Sequence, residues 1–256
     1  MQNLKLKIVQ PDLIWESPQE NRNHLEKLMS GGQSADLIIL PEMFTTGFTM
    51  DASKWAENPD EETTQWLQQM AKSFNAVVTG SFIIKENGDY FNRLLWVKPD
   101  GDYSIYNKKH LFRLAKEERT YSPGKGKIVE EINGWRICPF ICYDLRFPVW
   151  LRNKEEYDLS IFVANWPERR STAWKTLLRA RAIENLCYVA GCNRSGTDGN
   201  DIFYSGDSAL ISPDGEAIAE ISKTEGIIDQ TLDLYDLQVF RRKFQFHRDR
   251  DSFTIN

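Results

Sequence analysis

The chain is expected to be a layered α/β protein with two sheets packed together and helices outside, and three observations point there. Short apolar runs alternate with longer helical patterns from Leu4 to Ile84, the rhythm of strand–helix–strand units. Two Pro-Asp-Gly turns, Pro99-Asp100-Gly101 and Pro213-Asp214-Gly215, sit between short strand-like runs and predict antiparallel edges. No Ser/Gly-rich or Pro-rich linker cuts the 256 residues, so residues 1–256 are read as one domain.

Taken in order, Leu4, Leu6 and Ile8 alternate with lysines as an amphipathic strand over Leu4–Val9. Ser17-Pro18-Gln19-Glu20 has the form of a capping box with proline at the first helical position, and the helix it opens runs toward Met29 and stops at Gly31-Gly32. Asp36–Leu40 is apolar on both faces, as a buried strand is. A helix follows from about Glu61 to Phe74, then a strand over Ala76–Ile84. Asn87-Gly88 between Phe82–Ile84 and Phe91–Val97 predicts a hairpin. Pro99-Asp100-Gly101 turns into Tyr103–Tyr106, and Pro213-Asp214-Gly215 joins Ser208–Ile211 to Glu216–Ile221.

Composition excludes several classes. Apolar residues at 41% and charged residues at 27%, with 8 Trp, 9 Tyr and 14 Phe, fill a core and rule out a disordered or fibrous chain. A net charge of −5 with no basic tract argues against a nucleic-acid partner, because nothing neutralises phosphates. No run approaches the roughly 18 apolar residues of a membrane span, and the first segment lacks the apolar core of a signal peptide. With only four cysteines and no such signal, a cytoplasmic, reducing location is expected.

One cysteine stands apart. Trp135–Cys142 is strand-like and stops abruptly at Tyr143-Asp144-Leu145-Arg146-Phe147-Pro148, with a helical stretch, Val149–Asn153, beyond. Cys142 therefore sits where a strand ends and turns toward a helix, the sheet edge where sites collect. Cys138, Cys187 and Cys192 lie in strand-like runs and read as core. Cys-x3-Cys and Cys-x4-Cys spacings with no nearby His do not suit zinc, and of His24, His110 and His247 only His110 is a plausible partner for a Cys–His dyad.

Three segments then occur in order: Leu40-Pro41-Glu42-Met43-Phe44, Tyr106-Asn107-Lys108-Lys109-His110-Leu111-Phe112, and Ile141-Cys142-Tyr143-Asp144-Leu145-Arg146-Phe147-Pro148. Together they resemble the signature segments of the nitrilase superfamily of carbon–nitrogen hydrolases. Val163–Pro167, Arg179–Asn185 and Tyr188–Arg194 further resemble its omega-amidase (2-oxoglutaramate amidase) branch. The resemblance implies a four-layer αββα sandwich, a homodimer formed through a helical face, a Glu-Lys-Cys triad, and neither metal nor cofactor. Position by position it implies Glu42 as base, Lys108 rather than Lys109 as the lysine, Cys142 as nucleophile, and Glu117 as second acid, placed by Tyr121 and Gly124. Taken singly each has an ordinary reading: a loop glutamate after proline, a surface cation, a charged helix face.

The chemistry matches those types. Free cysteine is only a few per cent thiolate at neutral pH. The Lys108 ammonium is expected to favour the thiolate and then the tetrahedral oxyanion, with the Tyr143 amide as second donor. Glu42 is expected to take the thiol proton, pass it to the leaving nitrogen and activate water, while Glu117 orients Lys108 or the substrate amide. The substrate the resemblance implies is a small α-keto acid monoamide, 2-oxoglutaramate or 2-oxosuccinamate. Its far carboxylate calls for an arginine from among Arg113, Arg146, Arg169 and Arg170, and Phe44, Trp166 and Trp174 are candidates for the apolar wall. Another small amidase or N-carbamyl amide hydrolase, or a catalytically quiet binding protein of the same fold, stands as the alternative.

Overall fold

A computed structural model describes residues 3–254. The strands are β1 (Asn3–Gln10), β2 (Leu37–Ile39), β3 (Val77–Glu86), β4 (Asp89–Val97), β5 (Tyr103–Asn107), β6 (Glu130–Ile132), β7 (Trp135–Ile141), β8 (Leu159–Ala164), β9 (Tyr188–Asn193), β10 (Ser195–Thr197), β11 (Phe203–Ile211), β12 (Ala217–Ser222) and β13 (Gly226–Asp233). The helices are α1 (Pro18–Met29), α2 (Ala52–Trp55), α3 (Glu62–Phe74), α4 (Pro148–Leu151), α5 (Ser171–Asn185) and α6 (Leu234–Lys243).

The strands form two sheets. One has the order β13-β1-β2-β3-β4-β5, and the other β10-β11-β9-β8-β7-β6 with β12 also on β11. Each has a parallel centre, β1–β2–β3 and β7–β8–β9, and antiparallel flanks. The period-2 alternation of side chains builds the layers. Leu4, Leu6, Ile8, Leu37, Ile39, Leu94 and Trp96 point toward the second sheet and share a core with Ile137, Ile141, Ile161 and Val163. The alternate residues Val9, Ile38, Leu40, Leu95 and Val97 pack against Leu25 and Met29 of α1 and Leu67 and Met70 of α3. On the other side Trp174, Leu178 and Ala182 of α5 cover the second sheet. The result is the α–β–β–α sandwich.

Several turns follow from the sequence. Asn87 and Gly88 have φ of 52° and 90°, and Glu86 pairs with Asp89, so this is the two-residue hairpin that Asn-Gly favours. Gly101 and Gly215, closing the two Pro-Asp-Gly turns, have φ of 90° and 91°. The capping box at α1 does not form. The Ser17 hydroxyl donates to Glu20 Oε2 at 2.8 Å instead of accepting from a backbone amide, so serine and glutamate satisfy each other rather than the helix end. Cys187 is also not in a strand; it lies buried between α5 and β9. No helix among the described residues is long and apolar enough to cross a membrane.

Candidate active site

The ends of the parallel strands of both sheets meet at one place. Glu42 lies just past β2, Cys142 ends β7, and Asn165 follows β8, so the site sits at the C-terminal edge where open α/β sheets place ligands. Lys108 enters from the end of β5, its amide donating to Asn92 O at 3.0 Å.

The charged side chains form a closed cluster in the interior. Lys108 Nζ lies 2.7 Å from Glu42 Oε1 and 3.0 Å from both carboxylate oxygens of Glu117. Glu42 and Glu117 are fully buried and Lys108 nearly so. Glu42 Oε1 also accepts from Asn92 Nδ2 at 2.8 Å, and its Oε2 accepts from the Asn165 amide at 2.9 Å. Glu117 Oε2 accepts from the Phe112 amide at 2.5 Å. Charges this deep persist only when paired and hydrogen-bonded, and each of these is. Facing two carboxylates, the Lys108 ammonium is held well above its ordinary range despite the opposing effect of burial. Burial raises the Glu117 carboxyl, with Lys108 pulling the other way.

The surrounding backbone explains the sequence spacing. Gly124 donates its amide to Lys108 O at 2.8 Å, and a Cβ there would stand 1.9 Å from Asn107 O, so only glycine lets the two strands of chain approach. Tyr121 anchors the same loop through its hydroxyl, which donates to Thr49 O at 2.8 Å. The neighbouring Glu118 stays out of the cluster. The next turn is pinned by Asp144, which accepts from the Ile141 amide, from the His110 amide and from the Tyr106 hydroxyl at 3.1, 2.9 and 2.7 Å. This carboxylate ties the Lys108 segment to the Cys142 segment. His110 Nδ1 lies 2.8 Å from the same carboxylate and its ring stacks on Phe147, so its chemistry is committed to this clamp rather than to Cys142.

Cys142 has a φ of 43°, in the left-handed region that non-glycine residues avoid, and it opens a 3-10 turn, Cys142–Arg146. Such strain is held only where surrounding structure fixes it, and it turns the sulfur out of the strand. The Tyr143 amide falls in the first turn, where N–H groups have no intrahelical partner. Two influences oppose the expectation that Lys108 holds the sulfur as a thiolate. Burial pushes the Cys142 thiol well above its ordinary value, and the nearby Glu42 carboxylate pushes the same way; Lys108 only partly offsets them. The Lys108 ammonium is shared with two carboxylates, which weakens its support for a thiolate.

Cys142 and Lys108 open on a cavity of about 230 Å³, walled by Phe48, Phe112, Ile202, Tyr204 and Trp166 among others, and rimmed by Arg146, Arg169 and Arg170. Its lining includes no Asp or Glu. Three expected wall or anchor residues are elsewhere. Phe44 is fully buried among Trp66 and Phe82 on the helix side of the first sheet. Trp174 lies under Trp166, with its indole donating to Asp207 O at 2.8 Å. Arg113 is exposed and outside the cavity. Asn92, Asn165, Phe48, Phe112 and Tyr204 were not singled out from the sequence, although Phe112 and Asn165 lie in the quoted Tyr106–Phe112 and Val163–Pro167 segments. Among the described residues no group of three or more His, Cys, Asp or Glu is arranged to hold a metal ion.

Fold and site together define a sandwich protein whose buried Glu–Lys–Glu cluster backs a cysteine at the floor of a small cavity. The pattern of the carbon–nitrogen hydrolase family matches residues 5–242, and the chain belongs to that family. It is 43% identical, over the whole of both chains, to omega-amidase YafV of Escherichia coli strain K12. It is 34% identical to a 2-oxoglutaramate amidase of Bacillus subtilis over 89% of this chain and 90% of the relative. A crystal structure of a CN-hydrolase superfamily protein from Xanthomonas campestris, with an arsenic adduct in its active site, superposes with a TM-score of 0.97 at 43% identity over the whole of both chains.

Proposed function

We propose that the protein is an omega-amidase, hydrolysing the terminal amide of small α-keto acid monoamides such as 2-oxoglutaramate and 2-oxosuccinamate to the dicarboxylate and ammonia. The observation that carries this reading is a cysteine opening, beside Lys108 of the buried Glu42–Lys108–Glu117 cluster, on a small cavity rimmed by three arginines. The relatives named above support the same class.

In this reading Glu42 accepts the thiol proton as Cys142 Sγ bonds to the amide carbon. The carbonyl oxygen becomes an oxyanion stabilised by the Lys108 ammonium and the Tyr143 amide. The carbon–nitrogen bond then breaks, the proton on Glu42 passes to the departing nitrogen, and ammonia leaves an acyl thioester on Cys142. Glu42 next removes a proton from water as it attacks the thioester; the thiolate takes that proton back as the acid departs. Because the thiol starts protonated, attack and deprotonation are coupled, which gives Glu42 a role from the first step. Glu117 keeps Lys108 charged and aimed.

Two further readings belong with this one. A cytoplasmic location agrees with four cysteines that are all unpaired. A homodimer agrees with the exposed apolar side chains Ile183 on α5 and Tyr235 and Val239 on α6.

The test is ammonia release from a panel of ω-amide acids, neutral amides, nitriles and carbamyl amino acids. The proposal expects the ω-amide acids to give the highest kcat/KM. Faster turnover of nitriles or carbamyl amino acids would overturn it.

A further inference from the structure

Of the four arginines that sequence analysis offered for the substrate carboxylate, three reach the cavity, and they differ in surroundings. Arg146 and Arg169 are exposed at the rim, the former over the Trp166 ring with 5.0 Å between guanidinium carbon and ring centre. Arg170 is half-buried. Its guanidinium makes no hydrogen bond and no ion pair among the described residues, and its one close partner is the face of Phe112, 5.0 Å away.

This is an unusual combination. A guanidinium carries five N–H donors, and withdrawing it from water without an anion is costly. The fully buried cations have found one: Lys7 has Asp229, Arg22 has Glu62, Arg93 has Glu86, Arg181 has Glu184 and Arg194 has Asp12. Of the half-buried cations without one, Lys109, Arg152 and Arg170, only Arg170 lines this cavity. The backbone of Arg170 is nevertheless firmly held. Its amide donates to Pro167 O at 2.9 Å, its carbonyl accepts from the Trp166 indole at 2.8 Å, and the next residue, Ser171, donates its hydroxyl to Asp207 at 2.7 Å. A rigid stem thus presents an unused fork into a cavity whose lining has no carboxylate.

We propose that Arg170 is the specificity-determining residue of this site, binding the far carboxylate of the substrate through its guanidinium while Arg146 and Arg169 act from the rim. The assignment rests on the amidase reading above and goes beyond it by naming the residue. The Phe112 ring that backs Arg170 belongs to the loop whose amide binds Glu117, so the two ends of the substrate are gauged against one piece of chain. Burial, with the neighbouring Arg169 and Arg146, holds the Arg170 guanidinium below its usual range, and Arg170 lines the same cavity as Cys142. An arriving carboxylate relieves the repulsion among the three cations and fills the fork with two parallel hydrogen bonds.

The experiment measures kcat/KM for 4-carbamoylbutanoate, an amide ending in a carboxylate, and for neutral pentanamide of the same chain length, in wild type, Arg170→Ala, Arg170→Lys, Arg169→Ala and Arg146→Ala. The preference for the acid is expected to fall on the order of 100-fold in Arg170→Ala, mainly through KM. In Arg170→Lys it is expected to fall about 10-fold, because an ammonium keeps the charge and loses the fork. Should the alanine variant fail to fold, the lysine variant decides. The two rim variants are expected to change it less than about 5-fold, and less still at high salt. A wild-type preference that survives in both Arg170 variants, or that collapses as fully in Arg169→Ala, overturns the assignment alone. A wild type with no preference for the acid overturns the omega-amidase reading and the assignment with it.

Discussion

Two groups of charges lie on either side of Cys142, and they are built on opposite principles. Behind the sulfur, Glu42, Lys108 and Glu117 are buried and satisfied by one another and by Asn92, Asn165 and the Phe112 amide. In front, Arg146, Arg169 and Arg170 have no anionic partner among the described residues. The first group is paired within the protein, and the roles proposed for it are the proton traffic through Glu42 and the oxyanion contact of Lys108. The second has charge to give, and the opening of the cavity is where an anion enters. Charge complementarity within the protein therefore separates the groups proposed to do chemistry from those proposed to choose the substrate.

Breaking the inner side should produce the largest effects. Cys142→Ala is expected to lower amide hydrolysis by at least about 10⁴-fold while leaving the fold intact, since it removes one sulfur from a site open to the cavity; turnover near wild type would refute the covalent route. Lys108→Ala is expected to lose activity by roughly 10²–10³-fold and to lose about 3–5 kcal/mol of stability, because two buried carboxylates are left without their cation. Denaturant unfolding beside the kinetics checks both. Lys109→Ala, one residue on and partly exposed, is expected to stay within about 3-fold in rate and 0.5 kcal/mol in stability. Equal losses at the two lysines would mean that the inner cluster is not what the contacts suggest. The outer arginines act on a smaller scale and on binding, as set out for Arg170 above.

The molecule divides in a similar way for a reader of its sequence. Sheet and helix positions were legible because apolar alternation and turn residues are local signals: β1, β2, α3 and the Asn87-Gly88 hairpin lie within about two residues of expectation. Glu42, Lys108, Glu117 and Cys142 were legible only as an ordered set of segments; the structure brings the first three into contact and lines one cavity with Lys108 and Cys142. Asn92 was not. It lies inside the strand Phe91–Val97 and reaches Glu42 only because β4 pairs with β3 and points it inward, which is a tertiary fact. Phe44 and Trp174 were misplaced for the same reason: an aromatic beside a motif faces either core or cavity, and the layer packing decides. A lysine near a cysteine argues for thiolate only until the carboxylates that share that lysine are counted, and those lie on separate segments of the chain.

The central claim is that the Glu42 carboxylate disfavours the Cys142 thiolate and takes its proton as the sulfur attacks. The most direct test is the pH dependence of Cys142 alkylation by iodoacetamide in wild type and in Glu42→Gln. The carboxylate's charge disfavours the thiolate, so its removal should move the alkylation midpoint to lower pH by roughly 1–2 units, even as amide hydrolysis is lost. A midpoint that stays in place or moves upward would contradict the account.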